Sequence, residues 1–458
     1  MDEHIHDFLF DDESEEVIRR YEQAMQNPDQ RYFDVEELET IADYYLLCGM
    51  PNESSQAIDL GLKLHPNNST LQMKRAKVYL ASGKARKALQ LLDRIHETDN
   101  PEITLLRGEI LLHLHRDAEA HAVIAGLLST TDIEMEYLCL EIAYVYIASD
   151  HYDYALHYLE KGLQQSPQDI DLLQEAALCY EQQGHPETAV AYYDRIIAID
   201  PYSCEAWFNL GLVYFNMKEF ELALDAFDFV TVIDEEDFGG WIQKGNVLFQ
   251  LERYEAALQC YRMCENNIIF MDILHVFIGE CYEKLERYET AKRSYREALK
   301  INEFNTEAWT GLGICYLELD APEKSINYFL KSLHIDPANS ETWVYLAEAY
   351  VNINRMKEAI SAYRQSLKLE YEQADTWLAL GNLYADSEHY QQALDCYLVA
   401  LEQNNTLENL HLFLAITCFK LGDIDKTLSF LEEAIRRDAN ALTLFWDFCP
   451  DARDMREE

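Results

Sequence analysis

A pattern that returns every 34 residues governs this chain. Counted from Val35, units begin at residues 35, 69, 101, 136, 170, 204, 238, 272, 306, 340, 374 and 408. The steps are 34, 32 and 35 residues, then 34 throughout. The stretch from Thr306 to Asn339 shows one unit clearly. Trp309, Leu312, Gly313 and Tyr316 share one face at helical spacing. Pro322 follows the break at Asp320 and suits the first turn of a second helix. Ser325, Phe329 and Ser332 line that helix, and Pro337 ends it. Each unit therefore predicts two helices joined by a short turn. So small a unit cannot bury its apolar face alone, so the units must stack.

Two positions per unit carry the packing. The eighth is Ala42, Ala76, Gly108, Ala143, Ala177, Gly211, Gly245, Gly279, Gly313, Ala347, Gly381 or Ala415. The twentieth is Ala in nine units and Ser54, Ser325 or Thr427 in the others. Glycine inside a helix costs about 1 kcal/mol relative to alanine. Its recurrence at one position points to close approach of two helices. Large residues fill the neighbouring space. Position eleven is Tyr in nine units, and position 24 holds Tyr193, Phe227, Tyr261, Tyr295, Phe329, Tyr363 and Tyr397. Position four holds five of the six Trp. The abundance of Tyr, 30 against 16 Gly and 10 Pro, favours packed helices over disorder.

These residues resemble the tetratricopeptide repeat, twelve units of it over residues 35–441. The resemblance implies an all-α fold, an α–α solenoid of helix–turn–helix hairpins wound into a right-handed superhelix. First helices would line a concave groove that binds proteins. Residues 1–34 precede the repeats; an acidic tail there leads into a capping helix, for which Ser14 is the expected N-cap, with Val17, Ile18, Tyr21 and Met25 on one face. Residues 442–458 form a C-terminal cap and charged tail, with Leu442, Phe445, Trp446 and Phe448 packing on the last hairpin. The first four repeats fit less well, with Gln72, Thr104 and Cys139 at position four and the 32- and 35-residue spacings, and are marked for altered curvature or a partner contact.

A net charge of −46 opposes binding to nucleic acid and to anionic membranes. It favours basic or cationic partners, or simply keeps a long molecule soluble. Eleven Cys without any CxxC fit a reducing, cytoplasmic setting better than a disulfide framework. No signal peptide or membrane span is expected. Nor is catalysis: GxSxG, Walker A, GxGxxG and HExxH motifs are missing. No metal or cofactor is expected. His4 and His6 belong to the acidic tail, and Cys260, Cys264 and Cys281 read as core residues.

In the family, ligands are met by first-helix positions 2, 5, 6, 9, 12 and 13. Carried onto this chain, these positions give an apolar floor of Phe208, Phe215, Ile242, Phe249, Val276, Leu317, Val344, Val351, Leu378, Leu412 and Phe419. Around it stand Glu205, Glu280, Glu307, Glu318, Glu341, Glu348 and Asp375, with the amides Asn209 and Asn246. Such a surface suits an amphipathic, basic peptide segment with Leu or Phe anchors, the competing readings being that the adjacent repeat buries positions 5 and 12 and that the carboxylates are a solvated face. The Lys, Arg and Asn clamp that some family members use for chaperone C-termini is not matched; only its amides have counterparts, in Asn209 and Asn246. The turn Asn266–Met271, unusually apolar, is a second candidate surface. Two other readings follow from the same residues. One is an acidic electrostatic chaperone, or nucleic-acid mimic, holding basic proteins without a defined groove. The other is a homodimer whose groove holds a second copy.

Overall fold

The computed structural model describes residues 12–26, 32–95, 100–130, 134–265 and 271–452. Among the described residues are 26 helices and no strand. Two compact units divide the chain, Met1–Ile233 and Asp234–Glu458.

In the first unit α1 (Asp12–Gln26) precedes six hairpins. These are α2 (Val35–Leu47) with α3 (Pro51–Leu64), α4 (Ser69–Ala81) with α5 (Ala85–Leu92), and α6 (Pro101–His113) with α7 (Asp117–Thr130). Then come α8 (Met135–Ile147) with α9 (Tyr152–Gln165), α10 (Ile170–Gln182) with α11 (Pro186–Ile199), and α12 (Cys204–Asn216) with α13 (Phe220–Ile233). The second unit opens with α14 (Phe238–Gln250) and α15 (Tyr254–Met263), α16 (Met271–Lys284) and α17 (Tyr288–Ile301), then α18 (Thr306–Glu318) and α19 (Pro322–Ile335). It continues with α20 (Ser340–Asn352) and α21 (Met356–Leu369), α22 (Ala374–Asp386) and α23 (Tyr390–Gln403), and α24 (Leu410–Lys420) and α25 (Ile424–Arg437). A last helix, α26 (Ala441–Phe448), closes it. Every first helix starts within two residues of its expected position.

Local chemistry explains where helices start and stop. Asn68, Asp169, Ser203, Asp237, Asn305 and Asn339 each accept a backbone N–H from the first turn of the helix they precede. Asp34 and Glu37 form a reciprocal capping box at α2. Within each hairpin the first helix ends in a left-handed residue at position fifteen of the repeat. It is glycine at Gly49, Gly83, Gly184 and Gly422. In the other eight repeats it is His115, Asp150, Lys218, Glu252, Glu286, Asp320, Asn354 or Glu388, with φ between 55° and 63°. The next residue's N–H closes the turn, as when Ala321 donates to the Tyr316 carbonyl at 2.9 Å.

All residues at positions eight and twenty are buried. Five of the six glycines at position eight lie directly under the ring at position 24, and Gly108 lies against Ile124. A Cβ at Gly211 would come 2.7 Å from Phe227, and one at Gly279 2.6 Å from Tyr295. Gly245, Gly313 and Gly381 meet Tyr261, Phe329 and Tyr397 in the same way. Tryptophan at position four ties down the connection from the preceding repeat. The indole N–H of Trp309 donates to the Glu303 carbonyl at 2.9 Å. Trp207, Trp241, Trp343 and Trp377 do the same to Pro201, Glu235, Pro337 and Tyr371.

Both ends of the array are covered. Ile18, Tyr21 and Ala24 of α1 are buried, and Tyr21 packs with Phe33, Leu38 and Tyr45 of the first repeat. Helix α1 begins at Asp12, so Ser14 lies within it rather than capping it. At the other end Phe445 is buried against Leu412, Ala415 and Leu431, with Leu442 and Trp446 packed beside it. Phe448 departs from expectation: it is 57% exposed, because α26 turns only one face to the last hairpin. Residues 1–11 and 453–458, the acidic tail and the charged end, lie outside the described residues, as do residues 266–270 of the apolar turn.

Candidate functional site

In the second unit the first helices of repeats eight to ten concentrate carboxylates. Exposed Glu307 and Glu318 on α18, and exposed Glu341 and Glu348 on α20, accompany half-buried Glu280 and Glu283 on α16. Their charges act on one another. Burial, with the negative charges of Glu283, Glu307 and Glu341, pushes the Glu280 carboxyl up to about 7. Burial also raises Glu283, and Glu318 and Glu341 add to the effect. Loss of solvent and the charge of Glu318 raise Glu348. Lys284 is the cation that partly offsets this field at Glu280 and Glu283. Asp375 on α22 is also exposed.

The expected apolar floor is only partly open. Val276 and Leu412 are buried, Val276 in the core with Tyr295 and Leu312, Leu412 beneath Leu431 and Phe445. Each is covered by a neighbouring element, so neither offers a surface. Ile242, Leu317, Val344, Val351, Leu378 and Phe419 are half-buried. Two phenylalanines at position twelve pack within their own hairpins, while a third, Phe419, packs on Phe445 of α26 at 5.7 Å. Phe215 meets Phe220 edge-on at 5.5 Å, and Phe249 meets Tyr254 at 5.3 Å. Phe208 lies edge-on to Phe227 at 5.6 Å. Phe208, Phe215 and Phe249 keep part of their surface in solvent.

The amides and several acids have internal work. Asn246 accepts the Tyr261 hydroxyl proton at 2.8 Å, and Asn382 that of Tyr397 at 2.9 Å. Glu283 accepts from Tyr295 at 2.9 Å, and Glu181 from Tyr193 at 2.7 Å. The buried tyrosine at position 24 thus reaches through to the first-helix face and fixes a polar side chain there. Asn209 is half-buried, and Glu205 is exposed and accepts from Gln174.

Repeats two to four of the first unit hold a feature that position-by-position reading passed over. A cavity of about 620 Å³ opens across α4, α6 and α8. Its lining falls at the groove positions of three successive first helices. Lys74 and Lys77 come from α4, Leu105 and Glu109 from α6, Glu141 and Tyr144 from α8. The uneven spacing of these repeats was the signal in the sequence.

The thiols are all free, and Cys260, Cys264 and Cys281 are buried. Burial pushes Cys264 up to about 11 and Cys281 up to about 12, so both remain neutral thiols at pH 7. Among the described residues no group of three or more His, Cys, Asp or Glu side chains is placed to hold a metal ion. No helix among them is long and apolar enough to cross a membrane.

Family models described as tetratricopeptide repeat match residues 146–210, 279–340 and 345–408. These stretches of the chain are tetratricopeptide repeats. A family model described as anaphase-promoting complex, cyclosome, subunit 3 matches residues 182–264. Among solved structures, this tetratricopeptide repeat chain is similar to one in the APC/C hetero-tetramer Cut9–Hcn1. Identity there is 13%, over 88% of this chain and 98% of that one, with a TM-score of 0.43. It is also similar to PilF of Pseudomonas aeruginosa, at 18% identity over 47% of this chain and 98% of that one, TM-score 0.43. For MamA the figures are 20%, 38% and 95%, TM-score 0.35. No curated protein matches the sequence.

Proposed function

We propose that this protein is a non-catalytic scaffold that holds an amphipathic, basic segment of a partner protein against the first helices of its second unit. The observation that carries this reading is the carboxylate row of Glu280, Glu307, Glu318, Glu341 and Glu348, in which burial first, and then the charges of Glu283, Glu307 and Glu341, push Glu280 up to about 7. Carboxylates held this close, beside half-buried Leu317, Val344 and Val351, stabilise a cation placed among them and leave apolar surface for an anchor. The outer carboxylates Glu307, Glu318 and Asp375 make no ion pair among the described residues. The net charge of −46 would speed the encounter with a basic partner. Eleven free thiols suit a reducing compartment, and we place the protein in the cytoplasm.

A fluorescein-labelled dodecapeptide of Lys and Leu, helical in pattern, is the probe. Its anisotropy should report binding to the full chain that the variant Glu307→Lys/Glu341→Lys loses by at least about tenfold. The binding should survive in part at 0.5 M salt, where exposed charges are largely screened. Complete loss in salt, or binding indifferent to both substitutions, would leave an electrostatic holder of basic proteins as the better description.

A further inference from the structure

Helix α13 carries two apolar faces, and the array covers one of them. Ala223, Ala226, Phe227 and Val230 are buried. On the far side Leu222, Phe229 and Val232 are 45%, 49% and 76% exposed. With exposed Asp225 they recur at i, i+3, i+7 and i+10, the spacing of a seam between two helices. A helix apolar on both sides ordinarily has both sides covered. Repeat geometry does not call for apolar residues here. The same four positions are Thr290, Arg293, Glu297 and Lys300 on α17, and Lys324, Asn327, Lys331 and His334 on α19. Phe229 is also held in place. Its ring stacks on Trp207 at 4.3 Å, and the Trp207 indole is fixed to the Pro201 carbonyl at 3.0 Å. The face is acidic as well as apolar. From Glu219 to Ile233 the chain has Glu219, Glu221, Asp225 and Asp228, and no Lys, Arg or His. Neighbouring cations are Lys218, in the turn before the helix, and Arg195 on α11. The Arg195 guanidinium lies over Tyr192 at 5.1 Å and donates to the Pro167 carbonyl at 3.0 Å, which turns it toward the preceding repeat.

We infer that the outward face of α13 docks a basic amphipathic helix of a partner protein. Three apolar residues of that helix pack on Leu222, Phe229 and Val232. A Lys or Arg in its seam meets Asp225, and basic flanks meet Glu221 and Asp228. A helix suits this face because side chains spaced in the same way on a second helix fall into the gaps between these residues. From Leu222 to Val232 the face is about 15 Å long, about three helical turns. Charge complementarity selects a basic partner, and Asp225 sets its register. A cation opposite Asp225 spares the carboxylate from facing apolar groups alone. A second copy of α13 is a poor occupant, because it would bring the acids of both helices together. The face lies on a second helix of the first unit, so it is separate from the first-helix carboxylates of the second unit.

Two fluorescein-labelled, lactam-stapled helical peptides serve as probes. Each presents three Leu and one Lys along a seam, with Lys on both flanks. The seam Lys is second in one peptide and third in the other, to suit parallel and antiparallel packing. Anisotropy is measured on the full chain bearing Glu307→Lys/Glu341→Lys, in which the carboxylate row is disabled, so the outcome does not depend on that row. One of the two peptides is expected to bind. Adding Asp225→Lys should weaken it at least about tenfold, and so should adding Val232→Glu. The peptide with its seam Lys changed to Glu should regain affinity for the Asp225→Lys protein. Asp225 and Val232 are exposed, so both variants keep the fold, which circular dichroism checks. The inference is overturned if neither peptide binds, if binding ignores either substitution, or if the charge-swapped peptide regains nothing. It is equally overturned if Asp225→Lys in the parent chain changes its mass in solution, which would make a second copy the occupant.

Discussion

Two residues per hairpin, the glycine at position eight and the ring at position 24, set how close its helices come. Gly313 has Phe329 against it, with no room for a side chain. Gly313→Leu must move that ring or the backbone, at a cost of about 1–3 kcal/mol. Urea unfolding monitored by far-ultraviolet circular dichroism measures it, and a midpoint equal to the parent's would show that the contact is loose. The small-and-large pairing was legible in the sequence because position eight is Gly or Ala in all twelve units and position 24 is aromatic in the seven from Tyr193 to Tyr397. The left-handed residue at position fifteen was not. Lys218, Glu252, Glu286 and Glu388 hold φ near 60° with side chains that give no sign of it. For these residues the conformation costs about 1 kcal/mol, which glycine avoids. Glu252→Gly is therefore expected to stabilise the protein by about 0.5–1 kcal/mol despite the greater freedom of the unfolded chain, and thermal unfolding would show it as a raised midpoint.

Helix faces decide what a hairpin offers a partner, and here side-chain type misleads. Phe215 and Phe249 have the look of ligand anchors. Position twelve, however, stands beside the turn, where Phe220 and Tyr254 return along the second helix and claim part of each ring. Asn246 and Asn382 likewise serve Tyr261 and Tyr397. Periodicity places a residue on a face but does not show what crosses the hairpin to meet it. The carboxylates depend less on such detail, since their effect on one another extends over several ångströms. Glu280 makes this measurable. Its carboxyl is raised from 4.5 to about 7, so the folded protein holds a proton there that the unfolded chain has released. The resulting stability is full below about pH 4.5 and is lost as pH rises through 7, at a cost of about 1–3 kcal/mol. Glu280→Gln should remove that slope and be the more stable protein at pH 8. A parent and variant with parallel stability profiles between pH 5 and 8 would contradict the assignment. A basic segment bound beside Glu280 favours the charged form, so its affinity should increase over the same interval.

The array as a whole carries one consequence of composition. A net charge of −46 repels itself at every distance within the molecule. Raising ionic strength from about 0.01 M to 0.15 M shortens the screening length from about 30 Å to 8 Å. The thermal midpoint should increase with salt over that interval; an unchanged or lowered midpoint would mean that local ion pairs such as Arg75–Asp59 outweigh the general repulsion. Repeat number and register were legible because twelve copies vote on each position. The cavity across α4, α6 and α8 was hidden, because the 32- and 35-residue repeats that form it are the ones whose residues agree least with the rest.

Hydrogen exchange, with and without the Lys and Leu dodecapeptide, tests most directly whether the first helices are the binding face. Protection is expected on α16, α18 and α20, where Glu280, Glu307 and Glu341 stand, and not on α17, α19 and α21 behind them. Protection confined to the second helices, or spread evenly over the acidic surface, would contradict a groove built from the first helices.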